Sequence, residues 1–187
     1  VPLRLYFKTR EGLETPDATI SILPFIYEMI GRERRVSPNF KGITMNLNVL
    51  RSESIGSIHI KSASPAEQPS IRFNFLSSQH DRDGVIAAIR KGRELMAAAP
   101  VAEWVGGEIA PGADKQTDAE LLEWVRNTAE TTYHPVGTCK MGSDPMALVD
   151  ERLRVHGISG LRVADASIMP TLTSGNTNAP SIMIGEK

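Results

Sequence analysis

The 187-residue chain is poor in features that would tie it to a disulfide scaffold, a nucleic acid or a membrane. Cys139 is its only cysteine, so no disulfide can form within the chain, and we expect a protein of a reducing compartment, the cytoplasm. The 21 lysines and arginines nearly balance the 22 aspartates and glutamates, and a net charge of −1 gives no electrostatic reason to expect nucleic acid as a partner. No apolar run approaches the roughly 20 residues of a membrane-spanning helix, so no transmembrane segment is expected.

Motifs for nucleotides, nucleophiles and metals are missing as well. No Gly-x-Gly-x-x-Gly run follows a strand pattern, so the chain has no dinucleotide fingerprint of its own, and it contains neither a Gly-x-Ser-x-Gly elbow nor a Walker loop. The four histidines are His59, His80, His134 and His156. Neither they nor Cys139 have the spacing of a zinc site, so we predict no metal.

The composition that remains is typical of a globular protein. Hydrophobic residues make up 41% of the chain and charged residues 23%, which is close to the average. This length predicts one large domain or slightly more, with roughly 70% of the unfolded surface buried. Because the chain begins at Val1 without methionine and stops soon after a helix-start signal at Pro180, we expect it to be a piece of a longer protein.

Four segments alternate apolar and polar residues with the period of two that is typical of half-buried strands. They are residues 18–22, 43–49, 58–60 and 71–75. Pro24 should end the first strand or place it at a sheet edge. The other three follow one another closely, so we expect an antiparallel meander with residues 54–57 as its first turn. The charged stretch 31–39 is predicted to be a surface loop.

Two amphipathic helices are predicted after the strands. From about Asp81 to Pro100, apolar and small residues such as Val85 and Ile89 recur at helical spacing. A second helix should begin near Thr117, because the run Thr117-Asp118-Ala119-Glu120 has the spacing of a capping box ahead of an apolar stripe.

The sequence pattern changes near Thr131, where we place an architectural boundary. The part that follows has two short strand patterns and a long loop, at residues 153–156, 161–164 and 170–178. A helix is expected next, with Asn178 as its N-cap and Pro180 in its first turn. A strand, a loop and a helix in this order are typical of an α/β unit.

His134 is the best candidate for a functional ionisable side chain. An imidazole with an ordinary pKa of about 6.5 can accept a proton near neutral pH and return it. Pro135 restricts His134 to an extended backbone, and Gly137 permits a tight turn just beyond. The tripeptide Tyr-His-Pro is also compatible with an ordinary packed or surface histidine.

Asn176 is the second candidate, in a loop bounded by Gly175 and Pro180. A carboxamide offers both a donor and an acceptor at every physiological pH, so it could hold a substrate oxygen beside a histidine base. The structural alternative is a turn that leads into a helix. Both interpretations remain open from the residues alone.

Taken together and in order, these motifs resemble the C-terminal signature of the glucose-methanol-choline (GMC) flavoprotein oxidoreductases. The resemblance lies in the runs 133–142, 149–157, 161–167 and 175–180, and it extends over about 56–187. It implies an α+β fold, in which residues 1–145 form a substrate-binding domain of antiparallel sheet with flanking helices that carries the histidine loop. Residues 146–187 would return as the strand–helix segment of a Rossmann-like FAD-binding domain. The N-terminal FAD-binding portion, with its glycine loop, would be absent from this chain and would be its partner.

The resemblance also implies roles for particular residues. His134 matches the catalytic histidine, which would draw the hydroxyl proton from a primary or secondary alcohol while a hydride passes to flavin N5. Asn176 matches the second catalytic position, which is His in some members and Asn in others, and the Asn form is similar to choline-oxidising enzymes. The implied FAD-binding residues are Asp165, Ala166, Asn178 and Pro180. Cys139 is assigned to packing.

The predicted function is therefore the C-terminal part of an FAD-dependent alcohol oxidoreductase with a small, choline-like or other, alcohol substrate. FAD binding would require the N-terminal portion, and the isolated piece is expected to be inactive. Two alternatives stay open at this point: a non-catalytic binding domain that retains the scaffold, and a hydroxynitrile-lyase-like member of the same family.

Overall fold

A computed structural model of the chain describes residues 3–30, 33–37 and 41–186. The chain divides into two compact units. The first consists of Val1–Val49 and Gln79–Ala129, and the second of Leu50–Ser78 and Glu130–Lys187. Both combine helices with antiparallel strand pairs or bridges, so the chain is a mixed α+β protein. Among the described residues, no helix has the length and apolar character needed to cross a membrane.

The first unit is built on an antiparallel sheet of three strands. These are β1 (Leu3–Phe7), β2 (Ala18–Leu23) and β5 (Thr44–Val49), in the order β1-β2-β5. Ala18 and Ile20 on the central strand are fully buried. A separate hairpin pairs β3 (Tyr27–Ile30) with β4 (Glu33–Val36).

The long helix α1 (Gln79–Ala97) packs against β5 through small residues. A Cβ atom added at Gly84 would lie 2.9 Å from Cγ2 of Val49, and one added at Gly92 would lie 3.3 Å from the sulfur of Met45. The helix backbone can therefore approach the sheet closely only because these two positions lack a side chain. The short α2 (Ala99–Ala102) follows, with a proline in its first turn.

Helix α3 (Asp118–Thr128) begins with the predicted capping box. The Thr117 hydroxyl accepts from the Glu120 N–H, and the Glu120 carboxylate accepts from the Thr117 N–H at 2.8 Å. Leu121 and Val125 are buried beneath this start. Both predicted helices are thus confirmed, because their signals are local in sequence.

The second unit contains the hairpin of β6 (Ser57–His59) and β7 (Ser70–Arg72), a 3₁₀ turn at Ala166–Ile168 and helix α4 (Asn178–Glu186). Between Glu130 and the start of α4, the chain forms isolated bridges rather than strands, including Val149 with Val155. The core of this unit is formed by five buried apolar side chains: Val149, Val155, Ile168, Met169 and Ile184.

The predicted meander is wrong in its first pairing and confirmed in its second. Strand β5 pairs with β2, not with the segment around Ile58, whereas β6 and β7 form the predicted antiparallel pair. Strand β2 ends at Leu23 before Pro24, as expected, yet it is central rather than at an edge. Pro24 comes after the last paired residue, so it removes no hydrogen bond from the ladder.

Two further predictions in the N-terminal half need correction. Within the supposed charged loop 31–39, Glu33–Val36 is a strand, while residues 31–32 and 38–39 lie outside the described part of the chain. The strand predicted over 71–75 stops at Arg72, because Asn74 and Leu76 adopt positive φ values of 56° and 59°.

In the C-terminal part, the predicted strands 153–156 and 161–164 reduce to single bridges, and Leu161 is 48% exposed rather than buried. Helix α4 begins at Asn178, so this residue is the first helical residue and not the cap. Thr177 is the residue just before the helix, since its carbonyl accepts from the Ser181 N–H.

Candidate active site

The loop that carries His134 has a tightly specified backbone. Tyr133 and Gly137 both adopt positive φ, at 60° and 86°, on either side of the His134-Pro135 pair. A Cβ atom on Gly137 would lie 3.4 Å from the carbonyl oxygen of Met169, so the loop passes close to another segment at this point. Because Pro135 disfavours the helical region for His134, the imidazole is presented from extended backbone between two sharp bends.

Backbone hydrogen bonds fix this loop against the 3₁₀ turn. The Cys139 N–H donates to the Ser167 carbonyl at 3.0 Å, and the Met141 N–H donates to the Ile168 carbonyl at 2.8 Å. Ile168 itself is buried in the core of the second unit. The histidine loop is therefore attached to a packed element.

The loop that carries Asn176 is fixed in a similar way. The Thr173 hydroxyl donates to the Gly175 carbonyl at 3.0 Å. Beyond Asn176, the Thr177 carbonyl accepts from both the backbone N–H and the hydroxyl of Ser181, at 3.0 and 2.6 Å. Helix α4 then carries Ile184 into the same core. Both loops are thus tied to one set of buried side chains.

The structure brings the two candidate side chains into direct contact. Nδ2 of Asn176 lies 2.8 Å from Nε2 of His134. The other ring nitrogen, Nδ1, lies 2.8 Å from the hydroxyl oxygen of Thr177. Asn176 is exposed and His134 is half-buried, whereas Thr177 is only 7% exposed. The imidazole is therefore held between a buried hydroxyl at Nδ1 and an exposed carboxamide at Nε2.

Thr177 is the residue that the sequence reasoning missed. It stands in the run Gly-Asn-Thr-Asn, which was interpreted through its two asparagines. Its position next to a helix start was a signal for a capping role. No local pattern, however, relates it to a histidine 43 positions earlier in the chain.

The other predicted residues occupy two elements of the second unit. Asp165 caps the 3₁₀ turn, where its carboxylate accepts from the hydroxyl and the backbone N–H of Ser167. These bonds, the hydroxyl first, hold the pKa of the Asp165 carboxyl below its usual value. Ala166 is half-buried in the same turn. Asn178 and Pro180 lie in the first turn of α4, with Asn178 exposed.

No group of three or more His, Cys, Asp or Glu side chains in residues 3–30, 33–37 and 41–186 is arranged to hold a metal ion. Cys139 is half-buried and contributes its backbone N–H to the loop. The imidazole of His134 and the carboxamide of Asn176 are a pair suited to proton transfer and to holding an oxygen atom.

Comparison with known families and proteins gives a consistent result. The family model for the C-terminal domain of GMC oxidoreductases matches residues 52–185. The oxygen-dependent choline dehydrogenase of Cronobacter sakazakii is 44% identical over 182 residues, covering 97% of this chain and 32% of the relative. The protein of the same name from Brucella ovis is 42% identical over 184 residues, covering 97% of this chain and 33% of the relative. The chain thus spans about a third of the length of the curated relatives it matches.

Solved structures agree on the fold. Pyridoxine 4-oxidase from Mesorbium loti superposes with a TM-score of 0.86 at 26% identity, covering 98% of this chain and 36% of that one. A formate oxidase gives a TM-score of 0.80 at 26% identity, with 93% and 31% covered. A fungal aryl-alcohol oxidase gives 0.75 at 26% identity, with 94% and 27% covered.

Proposed function

The chain belongs to the GMC oxidoreductase family, and from this membership we propose that it is the C-terminal part of an FAD-dependent enzyme that oxidises the CH–OH group of a small alcohol. The observation that carries the proposal is the contact between Nε2 of His134 and the carboxamide of Asn176. At this contact a base lies next to a hydrogen-bond donor, and the Asn176 side chain is exposed to solvent.

In the proposed reaction His134 is the general base. Its Nε2 removes the hydroxyl proton of the alcohol, a contribution typically worth ~10²–10⁴-fold in rate. An alcohol oxygen that donates to Nε2 and accepts from Asn176 would replace the direct 2.8 Å contact between the two side chains. This contact is therefore the arrangement that a bound alcohol would divide into two hydrogen bonds.

Asn176 is proposed to hold the alcohol oxygen as its negative charge develops. A neutral N–H donor can stabilise an alkoxide without competing for the proton that His134 receives. The backbone around Asn176 is held by the Thr173 and Thr177 bonds described above. This support limits the reorganisation needed when the charge forms.

The residues present fit a bound flavin. Helix α4 has nine residues, and Asn178 and Ala179 at its start are exposed, so its positive end is open to an electron-rich group. We propose that Asn178 and Pro180 hold the pyrimidine end of the ring system and that Asp165 and Ala166 hold the ribityl–pyrophosphate region. Bound FAD supplies the hydride acceptor for the alcohol carbon.

The domain assignment is part of the same proposal. Residues 1–145 would belong to the substrate-binding domain, and residues 146–187 would return to a Rossmann-like FAD-binding domain as a closing strand and helix. The glycine loop for the pyrophosphate would come from an N-terminal portion, since the chain has no such motif. A choline-like alcohol is the proposed substrate, because the 42–44% identical relatives are named choline dehydrogenases.

The proposal is tested with His134→Ala in the full-length flavoenzyme that carries this chain. Mixing it anaerobically with choline, or with a panel of primary alcohols, should give flavin reduction slowed by ~10²–10⁴-fold, because the hydroxyl proton has no acceptor. His156→Ala is the matched control, since the exposed His156 ring contacts only the Gly142 carbonyl. A His134→Ala enzyme that reduces its flavin at the normal rate would contradict the proposed roles.

A further inference from the structure

We infer that Thr177 is a positioning residue that accepts the Nδ1–H of His134 and so holds the ring with its unprotonated Nε2 toward Asn176. This inference rests on the proposed role of His134 as base. It begins from the two contacts of the imidazole, Nε2 with Nδ2 of Asn176 and Nδ1 with the hydroxyl of Thr177, both at 2.8 Å.

The protons at these contacts can be counted. The amide nitrogen of Asn176 is only a donor, so the Nε2 it faces must accept and must carry no proton. A neutral imidazole has one N–H, which then sits on Nδ1 and donates to the oxygen of Thr177. The donor of Asn176 thus sets the tautomer, and the Thr177 hydroxyl, which can accept as well as donate, supports it by accepting from Nδ1–H. The opposite tautomer would require the carboxamide of Asn176 to turn over and the Thr177 hydroxyl to reverse its role.

Thr177 is held firmly enough to fix the ring in this orientation. Its side chain is only 7% exposed, and its own carbonyl accepts two bonds from Ser181 in the first turn of α4. The branched side chain of threonine also has restricted χ1 freedom. Asn176, by contrast, is exposed, so the buried hydroxyl is the more rigid of the two partners.

The tautomer decides whether the base works. Only an unprotonated Nε2 can take the hydroxyl proton at the open side of the ring. After the transfer both ring nitrogens carry protons, and the Nδ1–H bond to Thr177 keeps the ring in place. Thr177 therefore acts through His134 and does not touch the alcohol.

The test compares Thr177→Val with Thr177→Ser in the full-length protein that carries this chain. The valine variant keeps the shape and removes the hydroxyl, whereas the serine variant keeps the hydroxyl. ¹⁵N NMR of histidine-labelled protein, with the His134 signals identified from a His134→Gln sample, reports which ring nitrogen carries the proton. Thr128→Val is the matched control, because the Thr128 hydroxyl donates only to the Trp124 carbonyl of α3.

We expect the unaltered protein and Thr177→Ser to show a hydrogen-bonded Nδ1–H beside an unprotonated Nε2, and Thr177→Val to show an Nδ1–H that has lost this hydrogen bond. In turnover, Thr177→Val should lower kcat by ~10–100-fold, the usual effect of losing the partner that orients a histidine. KM should be unchanged, because the lost interaction matters only in the transition state.

Two results would overturn the inference. One is an Nδ1–H signal in Thr177→Val that matches that of the unaltered protein, whatever its kcat, and the other is a serine variant as slow as the valine variant. Failure of the proposed function would look different. His134→Ala would then leave flavin reduction unchanged, while the NMR comparison of Thr177 variants would still report the tautomer.

Discussion

At the scale of single residues, the candidate site is a chain of three hydrogen-bonded side chains in the order Thr177, His134 and Asn176. A histidine base held by a carboxylate is stabilised in its charged form, because the anion attracts the imidazolium. A hydroxyl and a carboxamide orient the ring without that attraction. The oxygen that Asn176 holds, rather than a buried carboxylate, would then balance the charge that His134 gains.

This view predicts the effect of Asn176→Asp. The substitution keeps the shape but turns the donor that faces Nε2 into an acceptor, so the developing alkoxide would meet a negative charge. We expect flavin reduction in the full-length enzyme to slow by at least ~10²-fold, the usual cost of losing an oxyanion donor. Stopped-flow measurement with choline, together with unchanged flavin absorbance and thermal midpoint, checks this outcome. An unaltered rate of flavin reduction in this variant would show that Asn176 does not stabilise the alkoxide.

At the scale of elements, the turn at 150–154 in the second unit is held together by the carboxylate of Asp150. Asp150 accepts from the backbone N–H groups of Arg152 and Arg154, both at 2.9 Å, and from the Arg154 guanidinium. The guanidinium and then the backbone bonds lower the pKa of Asp150 to about 2. The residues on either side of this turn, Val149 and Val155, are both in the core.

The lowered pKa gives a prediction for stability against pH. A depressed pKa in the folded state stabilises the fold fully above the ordinary value of 3.8, and the contribution is lost as the pH falls toward about 2. Asp150→Asn should therefore lower the thermal midpoint at pH 7 and have a smaller effect near pH 2. Glu151→Gln is the control, an exposed neighbour whose change should give no comparable deficit at pH 7. A deficit for Asp150→Asn that is equal at both pH values would contradict the pKa-based explanation.

The elements also show what could be read from sequence and what could not. The capping box at Thr117 and the helical stripe around Ile89 were predicted correctly, because every contact that defines them lies within a few residues. The nearby pair β6 and β7 was also predicted correctly, whereas the partner of β5 was predicted wrongly, because the pairing of Ile20 with Leu47 depends on a partner distant in sequence. The Thr177 contact was missed for the same reason.

The close contact between α1 and β5 predicts that a single methyl group added at Gly84 destabilises the fold. Gly84→Ala would place a Cβ 2.9 Å from the side chain of Val49, and such overpacking costs roughly 1–3 kcal/mol against the ~1 kcal/mol that alanine gains in a helix. We expect a lower thermal midpoint for Gly84→Ala, with Val49→Ala relieving part of the added loss in the double variant. Gly185→Ala in α4, where a Cβ meets nothing within 4 Å, is the control and should not lower the midpoint. Additive effects of Gly84→Ala and Val49→Ala would contradict a direct clash.

At the scale of the whole molecule, the second unit has a small core and a large apolar surface. Its five buried core residues contrast with many exposed large apolar side chains. They include Ile55, Ile60, Phe75, Tyr133, Met146 and Ile182. An apolar surface of this kind is typical of an interface. Because the chain spans about a third of its curated relatives, we expect the rest of the full-length protein to cover part of this surface.

The last prediction concerns flavin binding by the chain alone. The proposed FAD contacts of Asp165, Ala166, Asn178 and Pro180 lack the glycine loop that cradles a dinucleotide pyrophosphate, because no such motif occurs in the sequence. Titration of the isolated 187-residue chain with FAD, followed by flavin fluorescence, should therefore show no stoichiometric binding. The full-length protein is the control and should bind FAD tightly. Tight binding by the isolated chain would mean that these few contacts hold the cofactor without the glycine loop. The proposal that FAD binding requires the N-terminal portion would then be wrong.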